Sequence, residues 1–126
     1  MNVGNSILVD VKKLVGIAAT DSSFDTDIII HVNDAFQRLH QLGVGPSSIF
    51  TISSSQETWA DFFSSTTQMP MVLSYIALYV RRAFDPPTGG TLDSLDRQIQ
   101  EKEWLLNATV DPTEDEIEKM NLEPLW

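Results

Sequence analysis

A nearly continuous apolar run from Met69 to Val80 limits what this 126-residue chain can fold into. Only Pro70 and Ser74 interrupt the run, and a helix over about residues 68–84 would be apolar on every face. Helices of that kind are buried on all sides. The run is too short for a bilayer, which needs about 18–20 apolar residues, so no membrane helix is expected. We predict a central core helix that the rest of the chain, or a neighbouring subunit, covers.

Apolar periodicity predicts further helices on both sides of this run. Apolar residues recur three and four positions apart over about residues 6–17, 25–42 and 91–107. Ser54 and Glu57 have the spacing of a capping box and predict the start of a short helix. Gly43 and Thr91 are placed to end the second helix and to cap the fifth. The predicted fold is all-α, a small antiparallel bundle of about five helices with a long loop and an extended C-terminal arm.

The long loop joins the second and third predicted helices. Residues 49–53 within it have the composition of a short strand or an extended segment. A strand needs a partner, and the sequence offers no obvious one, so a partner strand would come from another subunit. We therefore expect the loop to contact a neighbouring subunit or another partner protein. The expected contact residues are Val44, Pro46, Ile49, Phe50 and Ile52.

Acidic residues dominate the charge, and most of them lie in the last third of the chain. Eighteen Asp and Glu face eight Lys and Arg, a formal net charge of −10. This balance argues against a nonspecific DNA or RNA binder, which recruits phosphates with surplus Lys and Arg. Two domains are predicted, a helical domain over residues 1–109 and an acidic arm over residues 110–126. The arm ends in apolar residues that either fold back onto the chain or dock on a partner: Leu122, Pro124, Leu125 and Trp126.

The residues needed for catalysis or metal binding do not form a recognisable pattern. The chain has no cysteine, and its two histidines, His31 and His40, would lie on opposite sides of one helix. No nucleophile elbow, phosphate loop or dinucleotide fingerprint is present in the sequence. We expect a protein that is not an enzyme and that needs no cofactor or metal. A carboxylate pair in a pocket is the alternative that would make it an enzyme.

Four stretches, in the expected order, carry a resemblance to a known family. They are Ile7–Leu14, Ile28–Gly45, Tyr79–Pro87 and Glu101–Leu106, and the Phe-Asp-Pro-Pro step in the third is the most specific. The chain resembles the head-to-tail connector proteins of tailed bacteriophages, which are also called adaptor or head-completion proteins.

The resemblance implies a structural protein of the virion neck, made in the cytoplasm of the host bacterium. Such proteins form a homo-oligomeric ring, often of twelve subunits, beneath the portal protein of the filled head. The other face of the ring receives the tail or a stopper, tail-completion or tail-terminator protein. DNA passes through the ring without specific binding, and no membrane is involved.

Two site hypotheses follow from the resemblance and the charge pattern. Carboxylates of the fifth predicted helix would line the DNA channel and repel phosphate: Asp93, Asp96, Glu101 and Glu103. The apolar end of the arm, Leu122 to Trp126, would dock on the portal. The alternative function is a cytosolic helical interaction module or regulator that binds a protein partner without forming a ring.

Overall fold

The computed structural model describes residues 4–63 and 69–108 of the chain. Within these ranges the chain forms five helices and no strand, apart from an isolated β-bridge between Ser6 and Thr58. This confirms the predicted all-α class. None of the described helices has the length and hydropathy to cross a membrane. The helices are α1 (Ile7–Leu14), α2 (Asp25–Gln41), α3 (Trp59–Phe62), α4 (Met69–Phe84) and α5 (Gly90–Ala108).

Helix α4 lies at the centre of the bundle, where it packs against α1, α2 and α5. Its buried residues are Val72, Leu73, Tyr75, Ile76 and Val80. From Met71 to Val80, none of its side chains is exposed. The bundle itself therefore covers most of the apolar run, and the large exposed apolar side chains lie on other elements.

Helix α2 supplies the second half of the core. Its apolar stripe is buried as the periodicity predicts, with Ile28, Val32, Ala35 and Leu39 all fully buried. The helix ends where Gly43 adopts a φ of 81°. The Gly43 N–H donates to the carbonyl of His40 at 3.0 Å, and the Val44 N–H donates to that of Leu39 at 2.9 Å. These two bonds form a Schellman motif, so the glycine stop is confirmed.

Two predicted helix starts are wrong. The Ser54–Glu57 pair does not open a helix, because α3 begins at Trp59 behind a capping box of Thr58 and Asp61. Thr91 is not a cap either, since it lies inside α5. Gly89, with a φ of 62°, precedes that helix and accepts a hydrogen bond from the Leu92 N–H at 3.1 Å.

Candidate interaction surface

The loop between α2 and α3 is held to α2 by one side-chain amide. Asn33 donates from Nδ2 to the carbonyl of Ile52 at 2.9 Å, and its Oδ1 accepts from the Ile52 N–H at 2.7 Å. The amide thus makes the pair of bonds that a neighbouring strand would make. Residues 49–53 form no strand, and the peptide groups of Ile52 pair instead with this side chain of the same chain.

Four of the five contact residues predicted in the loop are buried or half-buried. Val44 and Ile52 are buried, Pro46 is half-buried, and Phe50 is half-buried in the core. The Phe50 ring centroid lies 5.0 Å from that of Phe36 in α2 and 5.4 Å from that of Phe62 in α3. Of the five contact residues predicted in the loop, Ile49 is the one whose side chain is exposed, at 52%.

Gly45 allows this loop to pack closely. Its φ is 100°, and a Cβ at this position would lie 2.5 Å from the ring of Phe62. Both the backbone conformation and the space therefore require glycine. The sequence contains this glycine next to Pro46, but the contact with Phe62 depends on how α3 packs.

The four acidic residues predicted to line a DNA channel differ in their surroundings. Glu103 is half-buried and accepts two hydrogen bonds from the Arg38 guanidinium, at 3.2 and 3.3 Å. It also accepts a 2.7 Å hydrogen bond from the Tyr75 hydroxyl. Asp96 forms an ion pair of 2.7 Å with Arg82. Asp93 and Glu101 are exposed and have no ion-pair partner in the described part of the chain.

The hydrogen bonds of Glu103 with Arg38 and Tyr75, here called the Glu103 network, join α5 to α2 and α4. They also shift the pKa values of Tyr75 and Arg38. Burial raises the pKa of Tyr75, and its hydrogen bond to the Glu103 carboxylate raises it further. The same carboxylate raises the pKa of Arg38 through their hydrogen bonds. Glu103 thus tethers α5 to α2 and α4, and its negative charge is already compensated by a cation.

A groove lies between α2 and α5 and has α4 as its floor. Its volume is about 470 Å³. Helix α2 contributes His31 and Asp34, α4 contributes Tyr79, Arg82 and Ala83, and α5 contributes Asp96, Ile99 and Gln100.

The charge in this groove comes mainly from the exposed Asp34 carboxylate, since Asp96 is paired with Arg82. Burial raises the pKa of Tyr79, and the charges of Asp34 and Glu103 raise it further. No group of three or more metal-binding side chains occurs in residues 4–63 and 69–108.

The most exposed large apolar side chain in the described residues is Trp104 on α5, at 70%. It follows the buried Leu95 by nine residues, which places it about 180° away around the helix. Leu105 beside it is 38% exposed. Sequence reasoning gave Trp104 no role, although the stripe of Leu95, Ile99 and Leu106 already places it on the outer face. The predicted arm residues Leu122, Pro124, Leu125 and Trp126 lie outside the described residues.

Comparison with known protein families places the chain in a family. The family model for phage connector protein matches residues 7–113. The chain belongs to the phage connector protein family. All four stretches that carry the resemblance lie inside the match, so the resemblance is confirmed. This connector is a structural phage protein, and its family implies contacts with other proteins of the phage head or tail. Comparison with curated proteins and with solved structures gave no match.

Proposed function

We propose that this connector forms a ring, of about twelve subunits as in its family, between the portal protein and the tail or a stopper, tail-completion or tail-terminator protein. The observation that carries the proposal is the family match over residues 7–113, which includes every described helix. The protein is made in the host cytoplasm and ends in the virion neck. It acts by holding the neck together and by leaving a passage for DNA, without catalysis or a cofactor.

Particles that lack the protein test this role. An amber mutant grown in a nonsuppressing host should accumulate DNA-filled heads without tails, and purified protein added to these heads should restore tail attachment. Intact tailed particles made without the protein would contradict the role. That result would favour a helical interaction module or regulator that forms no ring.

The DNA passage is proposed to run along α5, whose acidic residues repel phosphate and so prevent DNA from sticking. Asp93 and Glu101 support this proposal most, because both are exposed and lack a cationic partner in the described chain. Asp96 and Glu103 contribute less negative electrostatic potential, because Arg82 pairs with Asp96 and Arg38 pairs with Glu103.

Neutralising the unpaired carboxylates tests the passage. Particles with Asp93→Asn and Glu101→Gln should eject DNA more slowly than wild type, while the matched control Asp85→Asn, in the exposed turn between α4 and α5, should not. Unchanged ejection kinetics in the double variant would contradict the lining role.

Two further contacts are proposed, one for the arm and one for the loop of the helical domain, residues 1–109. The arm, residues 110–126, would dock on the portal through its apolar end, because a large apolar patch is costly to leave in water. Deleting residues 121–126 should leave a folded protein that no longer binds portal-bearing heads. Ile49, exposed at the surface of the loop, would contact a neighbouring subunit or the tail, together with the half-buried Pro46 and Phe50.

A further inference from the structure

The contact between α4 and α5 has a second side, opposite the groove. Two pairs show that these helices are antiparallel: Tyr75 with Glu103, and Arg82 with Asp96. The second pair lines the groove, and Glu103 of the first pair accepts hydrogen bonds from Arg38 of α2, so both pairs lie on the side that faces α2. Because the helices are antiparallel, the residue before Arg82 and the residue before Glu103 both turn by about 100° towards the opposite side.

This opposite side, here called the basic seam, carries two cations without an ion-pair partner. Its residues recur at helical spacing on both helices: Ser74, Leu78 and Arg81 on α4, and Gln98, Lys102 and Leu105 on α5. Arg81 is exposed and Lys102 is half-buried, and neither forms an ion pair within residues 4–63 and 69–108. Leu78 is half-buried and Leu105 is 38% exposed, so apolar surface accompanies the cations. The basic seam therefore fits a partner that is both acidic and apolar.

The chain itself contains a segment of that chemistry. Residues 111–118, here called the acidic stretch, carry five carboxylates and no cation, and Ile117 adds an apolar side chain. DNA is a poor occupant of the seam, because two cations on a molecule with a net charge of −10 neutralise at most two phosphates. A second copy is also disfavoured, because two such acidic molecules repel each other. A segment of the same chain brings no further negative charge to the molecule.

The acidic stretch is long enough to reach the basic seam from the end of α5. Helix α5 ends at Ala108, and the register of the two pairs places Arg81 level with Arg97. At 1.5 Å per residue, that level lies about 16 Å back along the helix from Ala108, and Lys102 lies about 9 Å back. The ten residues 109–118 span up to about 33 Å. The chain can therefore turn back after α5 and pass both cations.

We propose that residues 111–118 dock along the basic seam of the same chain, with their carboxylates against Arg81 and Lys102 and with Ile117 against the apolar side chains of the seam. Surface ion pairs are individually weak. A short connection to α5 holds the stretch at an effective concentration in the millimolar range, so weak pairs are enough to populate the contact. The contact lies within one chain and does not depend on the proposed ring or on the portal.

Zero-length crosslinking of the full chain tests the contact directly. A water-soluble carbodiimide joins a lysine amine to a carboxylate that it touches, and mass spectrometry of the peptides measures the amide between Lys102 and residues 111–118. The matched control carries Lys102→Arg together with Gln100→Lys, which moves the amine to an exposed position of α5 that lines the groove instead. We expect the wild-type yield to exceed the control yield several-fold. The reaction is run on a dilute mixture of unlabelled and ¹⁵N-labelled protein, so that products within one chain carry a single isotope.

Variants away from the reacting lysine give the discriminating result. Arg81→Ala should lower the Lys102 product to half or less, because it removes the second cation of the seam, and Arg81→Lys should retain it. Arg97→Ala is the matched control and should leave the yield unchanged, because this exposed cation lies on the outer face of α5. Raising the salt from 0.1 to 1 M, which shortens the screening length from about 10 to 3 Å, should lower the wild-type yield as well. Circular dichroism spectra of all variants should match wild type.

Each other occupant of the basic seam gives its own result. Equal yields from Lys102 and from the control lysine mean that proximity in the sequence alone forms the product, and they overturn the proposal. A product that joins labelled to unlabelled chains assigns the seam to a second copy and overturns docking within one chain. A short DNA duplex added at equal concentration should leave the yield unchanged, whereas a loss assigns the two cations to phosphate and overturns the proposal.

Discussion

Asn33 offers the sharpest test of how this fold is held together, because its side chain joins the loop between α2 and α3 to α2 through two hydrogen bonds. Asn33→Ala removes two hydrogen bonds to the peptide groups of Ile52, a residue that is 3% exposed. Each bond contributes about 1 kcal/mol, and a buried peptide group left without a partner costs about 1–3 kcal/mol. Partial entry of water into the gap reduces that cost, so we expect the free energy of unfolding to fall by about 2–4 kcal/mol.

Urea unfolding followed by far-UV circular dichroism measures this loss, and at about 4 °C per kcal/mol the Tm should fall by about 8–16 °C. Gln37→Ala, exposed on the same helix, is the matched control and should change stability by less than about 0.5 kcal/mol. Hydrogen exchange of the Ile52 amide should accelerate in Asn33→Ala only. A loss below about 0.5 kcal/mol, with unchanged exchange at Ile52, would refute the reasoning.

Three other substitutions, two of them with a comparison variant, probe the packing and charge of the bundle. Gly45→Ala should lower the free energy of unfolding by about 2–4 kcal/mol in thermal unfolding, since it combines a positive φ with overpacking against Phe62. Gly16→Ala, at a positive φ but in open space, should lower it by only about 1–2 kcal/mol. Glu103→Gln should lower the free energy of unfolding in urea by about 1–2 kcal/mol. Asp96→Asn, which removes the ion pair with Arg82 at the surface, should lower it by less than about 0.5 kcal/mol, and equal losses would contradict the stabilising role of the Glu103 network. Burial alone would raise the pKa of Glu57, but hydrogen bonds from its own N–H, the Ser53 N–H and the Ser53 and Ser54 hydroxyls lower it to about 2. Its contribution is therefore complete above about pH 4.5 and is lost as the pH falls towards 2, so Glu57→Gln should flatten the pH dependence of the unfolding free energy in that window.

Local patterns predicted the long helices because burial decides them. A helix buries the apolar stripe of α2 from Ile28 to Leu39 along one face. The apolar run of α4 is likewise buried as a helix, at the centre of the bundle. Gly43 ends α2 as predicted, because the positive φ of a Schellman stop depends only on the residue at that position.

Predictions that depend on distant residues were less successful. Ser54 and Glu57 have the right spacing for a capping box, but Glu57 closes a turn with Ser53 and Ser54 instead, and the helix begins beyond it. The loop was expected to need a partner strand because the sequence does not reveal that Asn33, 19 residues away, would supply the hydrogen bonds.

The candidate site was predictable only in part for the same reason. The acidic residues of α5 could be found by counting charges. The pairing of Glu103 with Arg38 could not, because these residues lie 65 positions apart in the sequence. The groove likewise forms only when three helices meet, so the sequence alone did not bring Asp34 and Tyr79 together. Trp104 could have been found, because the buried stripe of α5 already places it outside the bundle.

Electron cryomicroscopy of the virion neck is the most direct test of the central claim, that copies of this connector encircle the DNA between portal and tail. We predict an annulus of this chain at that level, with acidic side chains of α5 facing the bore. A neck that contains no such annulus, or a bore lined with lysine and arginine, would contradict it.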